Sequence, residues 1–105
     1  MKLKVIWSNF AEEKLDEIFE YYKTEANLRI ARKLISNLIN ATEILVDNPH
    51  VGQTEELLTE RKECYRYLLH KNYKIIYSAD TKNGFIKIAD VFDTRQNPVK
   101  ITQNK

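Results

Sequence analysis

Cysteine, glycine and proline are all scarce in this chain. The single cysteine, Cys64, rules out an internal disulfide framework and any Cys-cluster metal site. A lone thiol suits a reducing compartment, so a cytoplasmic location is expected. Two glycines and two prolines in 105 residues leave little room for linkers or long loops. No apolar run approaches the roughly 18–20 residues needed to cross a bilayer, so no membrane role is expected. The opening MKLKVIW carries two lysines but no long apolar core and no small-residue cleavage site; it reads as a strand rather than a signal peptide. There is no Gly-rich phosphate loop, and neither Ser8 nor Ser78 has an evident base. No His, Cys or acidic residues stand at metal-ligand spacing. Neither a cofactor nor a metal is expected.

What is present fits one domain spanning residues 1–105. Hydrophobic residues make up 43% of the chain and charged ones 30%, the balance of a soluble globular protein. The charge is unevenly spread. Residues 1–63 hold nine Lys/Arg against twelve Asp/Glu, whereas residues 64–105 hold eight against three. The net charge of +2 thus combines an acidic front with a basic back, and a basic surface is suited to meeting an anion.

Periodicity gives the elements. Lys2 to Trp7 alternates, with Leu3, Val5 and Trp7 on one side, as in a strand. Asn9 with Glu12 three residues later resembles a capping box. The helix that follows places Phe10, Ala11, Leu15, Ile18, Phe19 and Tyr22 on one face and acids on the other. Asn27 reads as the N-cap of a second helix running to about Asp47, where Asn48-Pro49 stops it. Its apolar stripe is wide enough to touch two partners. Thr54 to Leu58 reads as a short helical turn. Cys64–His70 and Tyr73–Ala79 read as strands joined by Lys71-Asn72. Asn83-Gly84 reads as a hairpin turn with both residues at positive φ, and Phe85–Asp93 as the last strand. The order is β-α-α-β-β-β: an α+β two-layer domain with a helical hairpin on a mostly antiparallel sheet. The other sheet face is expected to lie in water unless something binds it.

Alternation sends Ile86 and Ile88 into the core and Phe85, Lys87 and Ala89 away from it. Arg66, His70 and Lys74 have one parity on adjacent strands, which suggests one positive patch with Arg95 at the end of the last strand. The plainer readings are that surface Lys and Arg merely solvate a sheet, and that strand tyrosines pack. Cys64 then reads as a buried small hydrophobe, and His50 as an exposed turn residue.

The runs SNFAEEKLDEIFEYY, ILVDNPHVG, YRYLLHKNYKIIYSAD and FIKIADVFDTRQNP, in this order after a leading strand, resemble the RelE/ParE superfamily of bacterial toxins (plasmid stabilisation type). The resemblance covers residues 3–98. Its landmarks are Ala11, Leu15 and Ile18, then Pro49 and Gly52, Arg66, Tyr73-Lys-Ile-Ile-Tyr77, and Val91 to Arg95. It implies the same β-α-α-β-β-β fold and the toxin role of a type II toxin–antitoxin system, with growth inhibited until a cognate antitoxin binds. It also implies one of two targets. RelE-like members cut mRNA in the ribosome, whereas ParE-like members poison DNA gyrase.

On the nuclease alternative, the resemblance makes Arg66, Lys74 and Arg95 the phosphate-holding cations, with His70 or Glu63 moving protons. The basic back half, read as a binding surface, offers Arg61, Lys62, Arg66, Lys74, Lys87 and Arg95. The chain departs from the nuclease pattern at Asp93, where His is frequent, and has no C-terminal Tyr. Cleavage needs a proton acceptor and a donor, and Arg serves poorly as a base. The gyrase-directed reading is therefore favoured. The ribosome-dependent, metal-free endoribonuclease is the first alternative, and an inactive relative that only binds antitoxin is the second. Both a homodimer and a toxin–antitoxin hetero-oligomer remain open.

Overall fold

The computed structural model of the chain describes residues 2–55 and 64–95. In order along the chain come β1 (Lys4–Trp7), α1 (Asn9–Glu25), α2 (Leu28–Ala41), a 3-10 segment (Thr42–Val46), β2 (Gln53–Thr54), β3 (Tyr65–His70), β4 (Tyr73–Asp80) and β5 (Phe85–Asp93). The strands form one sheet in the order β1-β5-β4-β3-β2. β1 runs parallel to β5, and the other three pairings are antiparallel. The two helices lie on one face, giving the expected α+β two-layer arrangement with one added strand.

That strand replaces part of the helical turn expected over Thr54–Leu58. Gln53 and Thr54 pair with Tyr67 and Arg66, which satisfies backbone groups on the outer edge of β3. Residues 56–58 lie outside the described residues.

Ser8, not Asn9, caps α1. Its extended backbone lets its hydroxyl accept from the Ala11 N–H at 3.0 Å. The same hydroxyl donates to the Ala89 carbonyl at 3.2 Å, which ties the helix start to β5. Glu12 still sits in the first turn, where the helix dipole favours an acid. Asn27 caps α2 as expected, accepting from the Ile30 N–H at 2.9 Å.

The second helix ends before the expected Asp47. Buried Thr42 donates its hydroxyl to the Ile39 carbonyl at 2.7 Å, a back-bond that competes with the helical ladder. The chain tightens into the 3-10 segment there and still buries Leu45. The wide stripe of α2 is only partly absorbed: Leu34 and Leu38 are buried, but Leu28, Ile30 and Ile39 remain exposed.

Between helices and sheet, Leu15, Leu34, Leu38, Ile75, Ile86 and Ile88 belong to one buried cluster. Burying such side chains is the dominant favourable term in folding. β5 keeps the predicted parity through Ile88. The pairing then shifts by one residue: Tyr77 faces Ile88, whereas Ile76 faces Asp90. Ala89 is the extra residue of a β-bulge, so Val91 returns to the main core while Asp90 and Phe92 turn to the opposite side.

The two turns differ from each other. In Lys71-Asn72, Lys71 has φ +54°. In the β4–β5 turn only Gly84 has positive φ, not both Asn83 and Gly84. The Asp80 carboxylate accepts from the Asn83 backbone N–H and side-chain amide at 3.2 and 2.9 Å. That organises a longer turn in which one left-handed residue suffices.

The face away from the helices is not a bare solvated surface. Ile76 and Phe92 are buried there, with Tyr65, Tyr67 and Ala89 packed against them. Lys14 of α1 reaches Asp90 at 3.6 Å and lies over the Phe92 ring. Among the described residues, no helix is long and apolar enough to cross a membrane.

Candidate functional site

The two-residue turn pairs His70 with Tyr73. Even-numbered residues of β3 therefore share a face with odd-numbered residues of β4, because directly opposed residues of an antiparallel pair point the same way. Arg66 faces Tyr77 and His70 faces Tyr73, on the helix-covered side. Lys74 faces Leu69, and Lys87 faces Ser78, on the other side. The single patch expected of Arg66, His70 and Lys74 is thus divided between the two faces.

Arg66 is occupied by the loop before β2. One guanidinium nitrogen donates to the Gly52 carbonyl at 3.0 Å and stands 3.5 Å from that of His50. The Tyr77 hydroxyl completes the clamp. It donates to the Pro49 carbonyl at 2.9 Å and accepts from the Gly52 N–H at 3.0 Å. Burial pushes the Tyr77 hydroxyl above its ordinary pKa, against the lowering effect of the Gly52 N–H. Only glycine fits at position 52. A Cβ there would stand 2.6 Å from the Tyr77 hydroxyl and 2.7 Å from the Tyr67 carbonyl oxygen.

On the opposite face, the Lys74 ammonium donates to the Glu55 carboxylate at 2.9 Å and lies 4.3 Å from the centre of the Tyr67 ring. Glu55 is only 2% exposed, so the pair is largely withdrawn from water. Lys87 stands 3.6 Å from Asp80. Hydrogen bonds from Asn83 hold the Asp80 carboxyl below its usual pKa.

Arg95 grips Asp93 in a fork, with contacts of 3.0 and 2.8 Å, and its backbone N–H adds a third at 2.9 Å. The Asn72 amide donates to the same carboxylate at 3.1 Å. The Arg95 guanidinium holds the Asp93 carboxyl down at about 2. In return the carboxylate pushes the Arg95 pKa up.

The His70 Nε2 is buried and has no hydrogen-bond partner among the described residues. Cys64, expected to be buried, is exposed: it directly precedes β3 and belongs to no buried cluster among the described residues. Arg61, Lys62 and Glu63 lie outside the described residues.

Two surface hollows were not foreseen. One, of about 270 Å³, runs between α1 and the end of β5. Ile18, Tyr21 and Val91 give it apolar walls, and Lys14, Glu17 and Arg95 charged ones. The other, of about 230 Å³, lies between α2 and the β3–β4 turn. It is lined by Ile30, Lys33, Leu34 and Asn37 from α2, and by Lys71 and Tyr73 from the turn. Tyr22 closes it from α1. Burial, and then hydrogen bonding with Tyr22, raises the Tyr73 hydroxyl above its ordinary pKa. A sequence signal for this second hollow existed: Leu28–Ala41 contains Arg29, Arg32 and Lys33 and no acid.

The profile of the ParE toxin family, described as the ParE toxin of the type II toxin–antitoxin system parDE, matches residues 5–98. A solved structure described as the chromosomal ParDE TA system from P. aeruginosa superposes with a TM-score of 0.71 at 17% sequence identity. The match covers 88% of this chain and 96% of that one, and at that identity it speaks for the fold. No curated protein matches the chain in sequence. With nearly all of the sequence covered by one profile and the fold in agreement, the chain belongs to the ParE toxin family of type II toxin–antitoxin systems.

Proposed function

We propose that this toxin acts by binding DNA gyrase rather than by cutting RNA, and that a cognate antitoxin neutralises it by covering the grooves between helices and sheet. Residues 1–105 serve as one functional unit in this reading. The observation that carries it is the β3–β4 register, which places Arg66 and Lys74 on opposite faces of the sheet. A scissile phosphate cannot be held by both. Arg66, Lys74 and Arg95 are each bonded to an internal acceptor, and the His70 Nε2 is buried. Cleavage of RNA calls for a proton acceptor and donor beside the phosphate, and the described residues do not gather them. Membership of the ParE family supports the gyrase target.

The purified chain added to gyrase reactions should accumulate cleaved DNA, and primer extension on mRNA from arrested cells should show no codon-located cuts. Normal supercoiling at toxin excess, together with mRNA cuts abolished by Arg66→Ala, would replace this reading with the nuclease one.

A further inference from the structure

We propose that the hollow between α2 and the β3–β4 turn is an anion-accepting subsite, which takes a carboxylate side chain flanked by apolar residues on a partner protein segment. The proposal deepens the function above and rests on it, because the partner segment is assigned to the antitoxin.

The cations of the molecule differ in whether they are available to a ligand. The cations singled out on the sheet are already matched: Lys74 by Glu55, Lys87 by Asp80, Arg95 by Asp93, and Arg66 by loop carbonyls. Any anion arriving there must displace an internal partner. Lys33 and Lys71 differ. Among the described residues, neither has a carboxylate within ion-pair distance. Both line the same hollow, from opposite sides.

Lys71 is also the one non-glycine residue with positive φ among those described, at +54°. An L residue with a long side chain is held there at a cost that Gly or Asn would avoid. Strained backbone of this kind collects at functional positions. Here it sets a lysine at the rim of the hollow. Asn72 beside it is pinned from the other side, its carbonyl accepting from the Thr94 N–H and hydroxyl, each at 2.8 Å. The turn is therefore fixed, not adaptable.

The floor selects among anions. Ile30, Leu34 and Tyr73 present apolar surface, and Asn37 adds an amide donor and acceptor. A nucleic-acid backbone would leave that floor unused. A Glu or Asp between apolar side chains uses both parts: the carboxylate meets two ammonium groups as a charge-assisted acceptor, and its neighbours cover the floor. Segments that dock in grooves combine apolar anchors with a few polar contacts in this way. Exposed Ile30 beside the hollow extends the apolar surface onto which such a segment can continue.

The test uses the full ¹⁵N-labelled chain and three probes: the peptide acetyl-Leu-Glu-Leu-amide, its Gln counterpart, and a single-stranded RNA hexamer. The Glu peptide is expected to shift the amides of Lys33, Asn37, Lys71 and Asn72 saturably. The Gln peptide should bind at least about fivefold more weakly, as loss of a charge-assisted contact predicts. Lys33→Ala and Lys71→Gly should each weaken Glu-peptide binding by a similar factor. Lys71→Gly should at the same time raise the melting temperature, a combination that a merely structural lysine would not give. Equal binding of the Glu and Gln peptides, absence of saturable binding, or shifts centred on Asp93–Arg95 would overturn the proposal. So would an RNA hexamer that competes for the hollow. Growth arrest on expression is scored separately. If arrest persists and the peptide result fails, only the subsite falls; if arrest is absent, the toxin mechanism falls whatever the peptides do.

Discussion

On the helix-covered face of β4, Tyr73, Ile75 and Tyr77 are buried, and the Tyr77 hydroxyl spends both its donor and its acceptor on loop backbone. On the opposite face the corresponding place is taken by a lysine, held by a nearly buried glutamate and capped by a tyrosine ring. One strand thus secures the loop before β2 by neutral hydrogen bonds on one side and Glu55, just after β2, by an ion pair on the other. Neutral bonds to backbone are insensitive to salt, whereas charged pairs respond to it in proportion to their exposure. Carbonyls of the same loop occupy Arg66 and the ion pair occupies Lys74, cations that a phosphate ligand would need. Charge counted along a strand therefore says little about charge offered to a partner.

The clamp on the helix-covered face is most vulnerable at Gly52. Gly52→Ala puts a methyl group against both the Tyr77 hydroxyl and the Tyr67 carbonyl oxygen. The backbone atom cannot swing aside, so a loss of about 3 kcal/mol is expected from overpacking, read by urea unfolding. An unchanged midpoint would mean that the loop is not clamped.

Next in size is Lys74→Met, which removes the Lys74 ammonium from a carboxylate, that of Glu55, withdrawn from water. A loss of about 2 kcal/mol is expected, smaller than for a fully buried pair because Lys74 keeps partial access to solvent. Adding Glu55→Gln should restore most of that loss. If the double variant is as weak as the single, the pair is not what holds this face.

A smaller effect should appear at Asp93, whose partner Arg95 is largely solvent-exposed. Its folded pKa of about 2 lies below the ordinary value of about 3.9, so the ionised carboxylate favours the folded state. That contribution is complete above roughly pH 4 and disappears as pH falls through about 2. Solvent screening reduces it to about 1 kcal/mol. Wild type should out-melt Asp93→Asn at pH 7, and the gap should close by pH 2. A gap that is constant with pH would assign the effect to packing instead.

The smallest change concerns the turn that sets the two faces. Lys71→Gly should add about 0.5–1 kcal/mol of stability by relieving the left-handed conformation, measured by thermal melting. No gain would mean that the turn tolerates lysine without strain.

Much of this architecture was legible in the sequence. The apolar spacing of Ala11, Leu15 and Ile18, the Asn27 cap, and the alternation of Ile86 and Ile88 all led to the correct elements. What alternation could not give was the relation between strands. Parity within β3 and within β4 was plain, but which parities coincide depends on the turn. The two-residue Lys71-Asn72 turn in fact dictates that even residues meet odd ones, so Arg66 and Lys74 could have been separated from the sequence alone. The bulge at Ala89 left no comparable mark, since ADVF alternates as well without it as with it. The choice of Ser8 over Asn9 as the cap was likewise hidden: both residue types cap well, and the Ala89 carbonyl that favours Ser8 is far away in sequence. Lys33 and Lys71 leave no mark in the strand alternation, because one lies on a helix and the other in a turn.

The parallel pairing of β1 with β5 joins Lys4–Trp7 to Phe85–Ile88, nearly opposite ends of the chain. During synthesis, at about 5–20 residues per second, the first strand must therefore wait for the last one to be made. The helical hairpin relies on local contacts and can form well before then. Assembly of this toxin thus has a built-in delay. Truncating the chain ahead of β5 would leave its first strand without a neighbour, so a stop there should cost the beginning of the fold as well.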